Sequence, residues 1–296
     1  MAGETPETGH WIDLHLHSSA SDGLLTPAEL MARAAEGHLA AVALTDHDTT
    51  AGLAEASDAA RAHGVDFVPG VEFSVTYDPG VMHLLGYYFD AGDSDLVVAC
   101  RRLVEARDVR NRRIIDHLIG LGCDISHQQV RQIACGEVVG RPHIARALVQ
   151  SRCVRTLKRA FTKYLAKGAE AYVSREKLSA AEAVRMIRGA SGVVALAHPT
   201  QLCCQTLAEL NQVVSGLVDL GVEAIEVYHP DHRPEDVRTC MDLAKRYGLL
   251  MVGGSDFHGP MGRSPRSVGF STCRIPYEWL TDLKSRVTGR RVGPAG

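Results

Sequence analysis

Asp13-Leu14-His15-Leu16-His17 and Gly254-Ser255-Asp256-Phe257-His258 each set two side chains able to bind metal two residues apart. Both lie at the ends of strand-like runs. On a strand, side chains at i and i+2 point to the same face. His15 and His17 therefore converge on one point, and so do Asp256 and His258. More such residues close other apolar runs: Asp46, His47 and Asp48, then Glu72 within Gly70-Val71-Glu72-Phe73-Ser74, then His198 and His229. Imidazoles mixed with carboxylates suit zinc, manganese or iron. They are too many for one tetrahedral ion, which implies a cluster of two or three. Six of the 14 histidines (15, 17, 47, 198, 229 and 258) fall at strand ends. Burying so many polar groups without a metal or partner would cost on the order of several kcal/mol.

The elements that must position these residues are legible as an alternation. Strand-like runs are Trp11–His17, Ala40–His47, Val65–Val75, Val81–Phe89, Val193–His198, Ala224–His229 and Leu249–Ser255. Helical stretches lie between them. Thr26-Pro27-Ala28-Glu29 is a capping box with proline at the first helical position. Ser179-Ala180-Ala181-Glu182 and Thr206-Leu207-Ala208-Glu209 repeat the logic, and Gly64 and Gly248 stand where C′ glycines end helices. Strands alternating with helices imply a parallel sheet. In parallel α/β barrels, sites are built at the carboxyl ends of the strands. His83 is the exception, nearer the start of its run. Residues 92–169 break the rhythm: they read as helical throughout and carry twelve arginines. We expect a barrel from residues 11–91 and 170–290, a helical insertion or cap subdomain at 92–169, and flexible tails at 1–10 and 291–296.

Bulk composition narrows the class. The chain has 296 residues, 45% hydrophobic and 23% charged, ordinary for a soluble enzyme with a large core. A net charge of −3 offers no global basic field for wrapping long duplex nucleic acid. A small anionic substrate must be attracted locally, by metals or a few arginines. None of the eight cysteines forms a C-x-x-C pair, so reduced, mostly structural thiols in a cytoplasmic protein are expected. No membrane span or signal peptide is expected.

With the motifs set in order, the chain resembles the polymerase-and-histidinol-phosphatase (PHP) family of metal-dependent phosphoesterases. The matching residues are Asp13-Leu14-His15-Leu16-His17 with Ser21-Asp22-Gly23 and Pro27, Thr45-Asp46-His47-Asp48, and Gly70-Val71-Glu72-Phe73-Ser74. Met82-His83, Ala197-His198-Pro199 and Gly254-Ser255-Asp256-Phe257-His258 follow. The resemblance implies an α/β fold, a distorted (β/α)7 TIM-like barrel, in agreement with the seven runs above. It also implies a trinuclear site. His15, His17, Glu72 and Asp256 would hold the first ion. Glu72 would bridge to a second held by His83 and His198. Asp22, His47 and His258 would hold the third. Many relatives carry histidine where this chain has Asp22, which adds negative charge there. Gly140-Arg141-Pro142-His143-Ile144-Ala145-Arg146 resembles the insertion motif of members acting on nucleotides and short RNA ends. It implies that Arg141 and His143 meet the substrate phosphate.

The expected activity is hydrolysis of a phosphate ester through a metal-bridging hydroxide, with two or three divalent ions (Mn, Zn or Fe) as cofactors. Arg141 would clamp a phosphate oxygen. His229 or Asp48 would protonate the leaving oxygen, and His229 could instead contact substrate. The leading substrate is a nucleoside 3′,5′-bisphosphate or the 5′ end of a short oligonucleotide. The alternative is another small phosphorylated metabolite, such as histidinol phosphate or a cyclic sugar phosphate. Two other classes fit the sequence less well. A non-catalytic barrel would have lost ligands, whereas all nine positions here are competent. Hydrolases of C–N bonds also use H-x-H but usually bridge their metals with a lysine on a strand end, and no lysine here lies on one. The sequence leaves the oligomeric state open.

Overall fold

The computed structural model describes residues 11–134, 138–259 and 274–292; the expected tails at 1–10 and, from 293 on, at the other end lie outside the described residues. The first half of the sheet comprises β1 (Trp11–Leu16), β2 (Leu39–Leu44), β3 (Asp66–Val75) and β4 (Met82–Tyr87), with α1 (Pro27–Glu36) and α2 (Leu53–His63) between the first three strands. Four helices follow: α3 (Ser94–Gly120), α4 (His127–Ala134), α5 (Arg141–Gln150) and α6 (Leu157–Ala160). Then come α7 (Ala180–Gly189), β5 (Val193–Leu196), α8 (Leu207–Leu220), β6 (Ala224–Tyr228), α9 (Pro234–Tyr247), β7 (Leu250–Gly253), β8 (Ile275–Pro276) and α10 (Tyr277–Val292).

The helices begin where local chemistry directs. At α1 the Thr26 hydroxyl accepts from the Glu29 N–H while the Glu29 carboxylate accepts from the Thr26 N–H. Ser179 and Glu182 do the same for α7. At α8 only the Thr206 half of the box forms, because the Glu209 carboxylate reaches the Gln205 N–H instead. Gly64 and Gly248 close α2 and α9 with φ of 69° and 64°, a conformation that costs glycine little.

The eight strands form one sheet in the order β7-β6-β5-β4-β3-β2-β1-β8, curved into a nearly closed barrel. Past β7, Phe257 bridges to Leu16, and the His17 N–H donates to the Phe257 carbonyl at 3.0 Å. Inside, β1, β2 and β5 are almost wholly buried, as strands covered on both faces should be. The alternation predicts seven parallel strands, and the structure corrects this in two places: a short eighth strand, β8, pairs antiparallel with β1, and one of the expected seven is reversed. β4 runs antiparallel to both β3 and β5. The reason is the short link 76–81, which is too short for a crossover helix and allows a hairpin. The reversal brings the start of β4 to the end of β3, with His83 paired to Ser74. His83, out of place by sequence position, thus arrives at the same mouth as the other ligands.

Apolar contacts divide into two clusters. The barrel core takes in the strands and the first half of α3 through Leu96, Cys100 and Leu103. The second half of α3, through Ile114, Ile115 and Leu118, packs with α4, α5 and α6 in a separate cluster. One long helix therefore spans both cores and crosses beside the barrel mouth.

Candidate metal centre

Three groups of donors meet at the mouth. His15, His17, Glu72 and Asp256 offer ligand atoms all within 4.8 Å of one another, and so do His17, Asp22, His47 and His258, and His47, Glu72 and His83. Glu72 is fully buried and joins them. Its Oε2 lies 3.2 Å from His17 Nε2 and 2.9 Å from His47 Nδ1, and its Oε1 lies 2.7 Å from His83 Nδ1 and 3.0 Å from His198 Nε2. Asp256 Oδ1 sits 3.4 Å from His15 Nε2 and 3.1 Å from His17 Nε2. Asp22 Oδ1 sits 3.2 Å from His258 Nε2 and 4.0 Å from His47 Nε2. All nine residues expected as ligands are thus gathered in one place.

The atoms facing inward lack ordinary partners. His15 Nε2, His17 Nε2, Asp22 Oδ1, His47 Nδ1 and Glu72 Oε2 are buried without a hydrogen bond. Buried polar atoms are normally satisfied, and cations held by these groups would satisfy all five. The donor set of imidazoles and carboxylates fits a borderline divalent ion. In the metal-free chain protons take that place. Burial opposes charge on His17, but Asp256 and Glu72 outweigh it and raise its pKa to about 10. Burial likewise opposes charge on Glu72, yet His47, His83 and His15 hold its carboxyl well below the usual range.

Several neighbours outside the nine hold this arrangement, and one of them, Glu226, sequence reasoning missed. Glu226, fully buried on β6, takes His15 Nδ1 at 2.9 Å. A proton on Nδ1 leaves the Nε2 lone pair pointing into the site, the arrangement that orients metal-binding histidines generally. Asp46 accepts from the Ser18 N–H (2.8 Å), the Ser18 hydroxyl (2.6 Å) and the Ser21 hydroxyl, pinning the loop that carries Asp22. Asp13 accepts from the Ser255 N–H at 3.0 Å and ties the first pincer to the second. A Cβ on Gly254 would lie 2.2 Å from His15 Cβ, and one on Gly140 would lie 2.7 Å from Asp22 Cβ. Only glycine allows these approaches. Asp48, His198 and Asp256 have positive φ of 59°, 52° and 49°, strain of the kind that gathers at functional sites.

The residues expected to meet substrate occupy the rim. His143, at the start of α5, accepts the Gly140 N–H on Nδ1 at 3.0 Å. Its proton therefore sits on Nε2, which is buried and has no partner. Burial lowers its pKa to about 4, so the ring is neutral. Arg141 Nη1 donates to the Leu165 carbonyl at 3.3 Å. His229 Nδ1 accepts from the Asp231 N–H at 3.1 Å, and its Nε2 lies 3.4 Å from Asp256 Oδ2. Asp48 stands apart from the nine. Its carboxylate accepts from Arg107, from Arg175 at 2.6 Å and from the Ser74 N–H at 3.0 Å. A cleft of about 750 Å³, lined by Ser19, Thr49, Glu55, Arg101 and Glu105 among others, opens between α3 and the loops that follow β1 and β2; none of the nine ligands lines it.

Comparison with known proteins agrees with this geometry. The PHP domain family matches residues 13–173. A 3′,5′-nucleoside bisphosphate phosphatase of Chromobacterium violaceum is 38% identical over 87% of this chain and 90% of its own. A phosphoribosyl 1,2-cyclic phosphate 1,2-diphosphodiesterase of Eggerthella lenta is 33% identical over 89% and 98%. A 5′-3′ exoribonuclease of Salmonella typhimurium is 32% identical over 84% and 85%. Among solved structures, a Bifidobacterium adolescentis protein described as a metal-dependent phosphoesterase superposes with a TM-score of 0.82 at 28% identity, covering 93% of this chain and 96% of its own. A Chromobacterium violaceum protein, described as an amidohydrolase with bound sulfate and no metal, gives 0.81 at 34% over the same shares. With its ordered motifs, its Glu72-centred donors and these likenesses, the chain belongs to the PHP domain family of metal-dependent phosphoesterases.

Proposed function

We propose that the site holds two or three divalent ions (manganese, zinc or iron) and hydrolyses a phosphate ester of a nucleotide, either a nucleoside 3′,5′-bisphosphate or the 5′ end of a short oligonucleotide. The observation that carries the metal reading is the set of five buried donor atoms without partners, distributed over adjoining groups of ligands at the barrel mouth. His15, His17, Glu72 and Asp256 would hold one ion; Glu72, His83 and His198 a second; Asp22, His47 and His258 a third. Bound there, such ions supply a water acidic enough to attack at neutral pH and positive charge opposite the phosphoryl oxygens. The amide-hydrolase alternative loses support because the oxygens of Glu72 meet imidazoles, and no lysine stands at that bridging position.

The chain's own residues then orient and protonate. His143, neutral with its Nε2 proton free, donates to a phosphate oxygen. Arg141 adds a charged donor from the same helix start. His229 is the proton donor to the leaving oxygen rather than Asp48. With Nδ1 accepting the Asp231 N–H, its proton sits on Nε2 beside Asp256, and although burial disfavours the charged ring, Asp256 and Glu226 favour it. Asp48 is held ionised by two guanidiniums and has no proton to give. Helices α3 to α6, within residues 92–169, act as a cap on the barrel built from 11–91 and 170–290, and substrate enters between the cap and the barrel mouth. No helix among the described residues is long and apolar enough to cross a membrane. The free cysteines suit a reducing, cytoplasmic setting.

Purified protein supplied with manganese, incubated with a panel of nucleoside bisphosphates, short 5′-phosphorylated oligonucleotides, histidinol phosphate and cyclic sugar phosphates, should release phosphate or nucleotide from the first two groups. Turnover of none of the nucleotides would refute this substrate reading. Preference for the cyclic sugar phosphate, the substrate named for the Eggerthella relative, would favour the second reading. His15→Ala and Asp256→Ala should lose both bound metal and activity.

A further inference from the structure

Beside the metal ligands lies a second concentration of charge that none of the steps above uses. Arg107 and Arg110 are buried on α3. Arg175 and Lys177 approach from the segment that leads into α7, where Lys177 Nζ lies 3.5 Å from the Val75 carbonyl. One carboxylate stands among these four cations, that of Asp48, and Arg107, Arg175 and the Ser74 N–H already share it. Arg110 is 5% exposed, and its Nε and Nη2 have no hydrogen-bond partner; Arg107 Nε is likewise unpartnered. Burial, then the like charges of Arg107, Arg141 and Arg175, act against the Arg110 charge. Burial together with Arg175 and Arg141 pushes the Lys177 ammonium down to about 8. Four cations around one consumed carboxylate are an unfavourable arrangement on their own and a favourable one with an added anion.

We propose that Arg107, Arg110, Arg175 and Lys177 form a subsite for a second, non-scissile phosphate of the substrate, with Asp48 as its fixed counter-ion. Asp48 directly follows the ligand His47, and its N–H donates to the Glu72 carbonyl at 2.9 Å. The subsite is therefore anchored through the backbone to two residues of the metal centre. Asp48 gathers Arg107 and Arg175 when no substrate is present, and the unpartnered Arg110 is left to receive the anion. A molecule with two phosphates on one small frame reaches both places; a monophosphate fills one. This deepens the nucleotide reading and rests on phosphoester hydrolysis at the metal centre.

The test compares kcat/KM of the metal-loaded protein for a nucleoside 3′,5′-bisphosphate and for the two corresponding monophosphates. Wild type should favour the bisphosphate over either monophosphate by about tenfold or more, the scale of one charge-assisted contact. Arg110→Gln should erase most of that preference. Lys177→Gln, at the less buried edge of the cluster, should reduce it as well and serves if Arg110→Gln fails to fold. Equal use of mono- and bisphosphates by an active wild type would overturn the subsite and leave the phosphoesterase reading intact. So would variants in which both substrates decline together, because the cations would then serve the scissile group. An inactive wild type on every phosphate ester would instead refute the function itself.

Discussion

Glu226 offers the sharpest check on how the fold tunes its metal ligands. Its carboxylate is fully buried and holds His15 Nδ1 at 2.9 Å, so His15 Nε2 faces Glu72 and Asp256 at 3.4 Å from each. Glu226→Gln keeps the shape and changes the electronics. With the amide oxygen toward Nδ1, the hydrogen bond survives but the negative charge that makes the ring a stronger donor is gone. With the amide nitrogen toward Nδ1, the tautomer inverts and Nε2 carries the proton where the metal should be. Either outcome weakens one ligand of four without deleting it. The expected loss of metal affinity is about ten- to a hundredfold, or about 1.4–2.7 kcal/mol. A second effect opposes it. Burial disfavours charge on His15, but Glu226 first and then Glu72 raise its pKa well above the usual value in the metal-free chain, so a proton competes for Nε2. Removing the Glu226 charge relieves that competition. The deficit of the variant should therefore be larger at pH ~9 than at pH ~7, because metal binding must displace fewer protons at the higher value. Manganese affinity measured by competition with a chelator at both pH values, with thermal unfolding of the metal-free proteins as a check on folding, tests the reasoning. An affinity within about twofold of wild type at the higher pH would refute it.

The raised pKa of His17, from 6.5 to about 10, makes the metal-free protein pH-sensitive. Such a group stabilises the fold fully below its unfolded pKa and ceases to do so as pH climbs through the folded one. The Tm of chelator-treated protein should fall between pH ~6.5 and ~10, and a flat or rising Tm in that window would contradict the assignment. Asp48→Ala leaves Arg107 and Arg175 buried without their shared carboxylate, and should cost about 3–5 kcal/mol in urea unfolding. A loss below about 1 kcal/mol would mean that water already screens the pair. Gly254→Ala forces a Cβ to within 2.2 Å of His15 Cβ and 2.5 Å of His15 N. It should lower stability by about 2 kcal/mol or more and reduce bound metal, both readable from thermal unfolding and metal analysis. Wild-type metal content in that variant would show that the two pincers can part without losing the site.

The ligands were legible because strand geometry is local. Spacing of i and i+2 fixes a shared face, so His15 and His17 declare themselves within three residues. Asp256 and His258 lie past the end of β7, Asp256 with a φ of 49°, and reach different donor groups from a loop rather than by strand alternation. Helix starts are equally local, and the boxes at Thr26 and Ser179 form as their sequences dictate. Direction in the sheet is not local. The antiparallel course of β4 depends on the short connection at 76–81, and that same fact returns His83 to the mouth. The supporting carboxylate of Glu226 was illegible for another reason. Glu226 meets His15 across 211 residues, and nothing near either residue names the other. One signal was available: Glu226 is a lone carboxylate in the apolar run Ala224–Tyr228, whose strand is buried up to Val227. A charge there must have a partner, and a buried histidine ligand is a fitting one.

The same reasoning applies to the arginines. On α3 the buried stripe runs Leu96, Cys100, Leu103, Arg107, Arg110, Ile114 and Leu118, stepping by three or four residues along one face. Arg107 and Arg110 hold positions that periodicity reserves for apolar side chains. Ten other arginines fall between 101 and 159, and composition alone treats all twelve alike. Phase separates them. Arg112 lies off the stripe, is exposed, and pairs with Asp108 one turn away, which contributes little. Arg107 and Arg110 interrupt a core where charge is costly, at the point where α3 passes from the barrel core to the helical one. A guanidinium kept at such a position requires an anion, and Asp48 accounts for one of the two. The anion that Arg110 still lacks is the second phosphate assigned to it above.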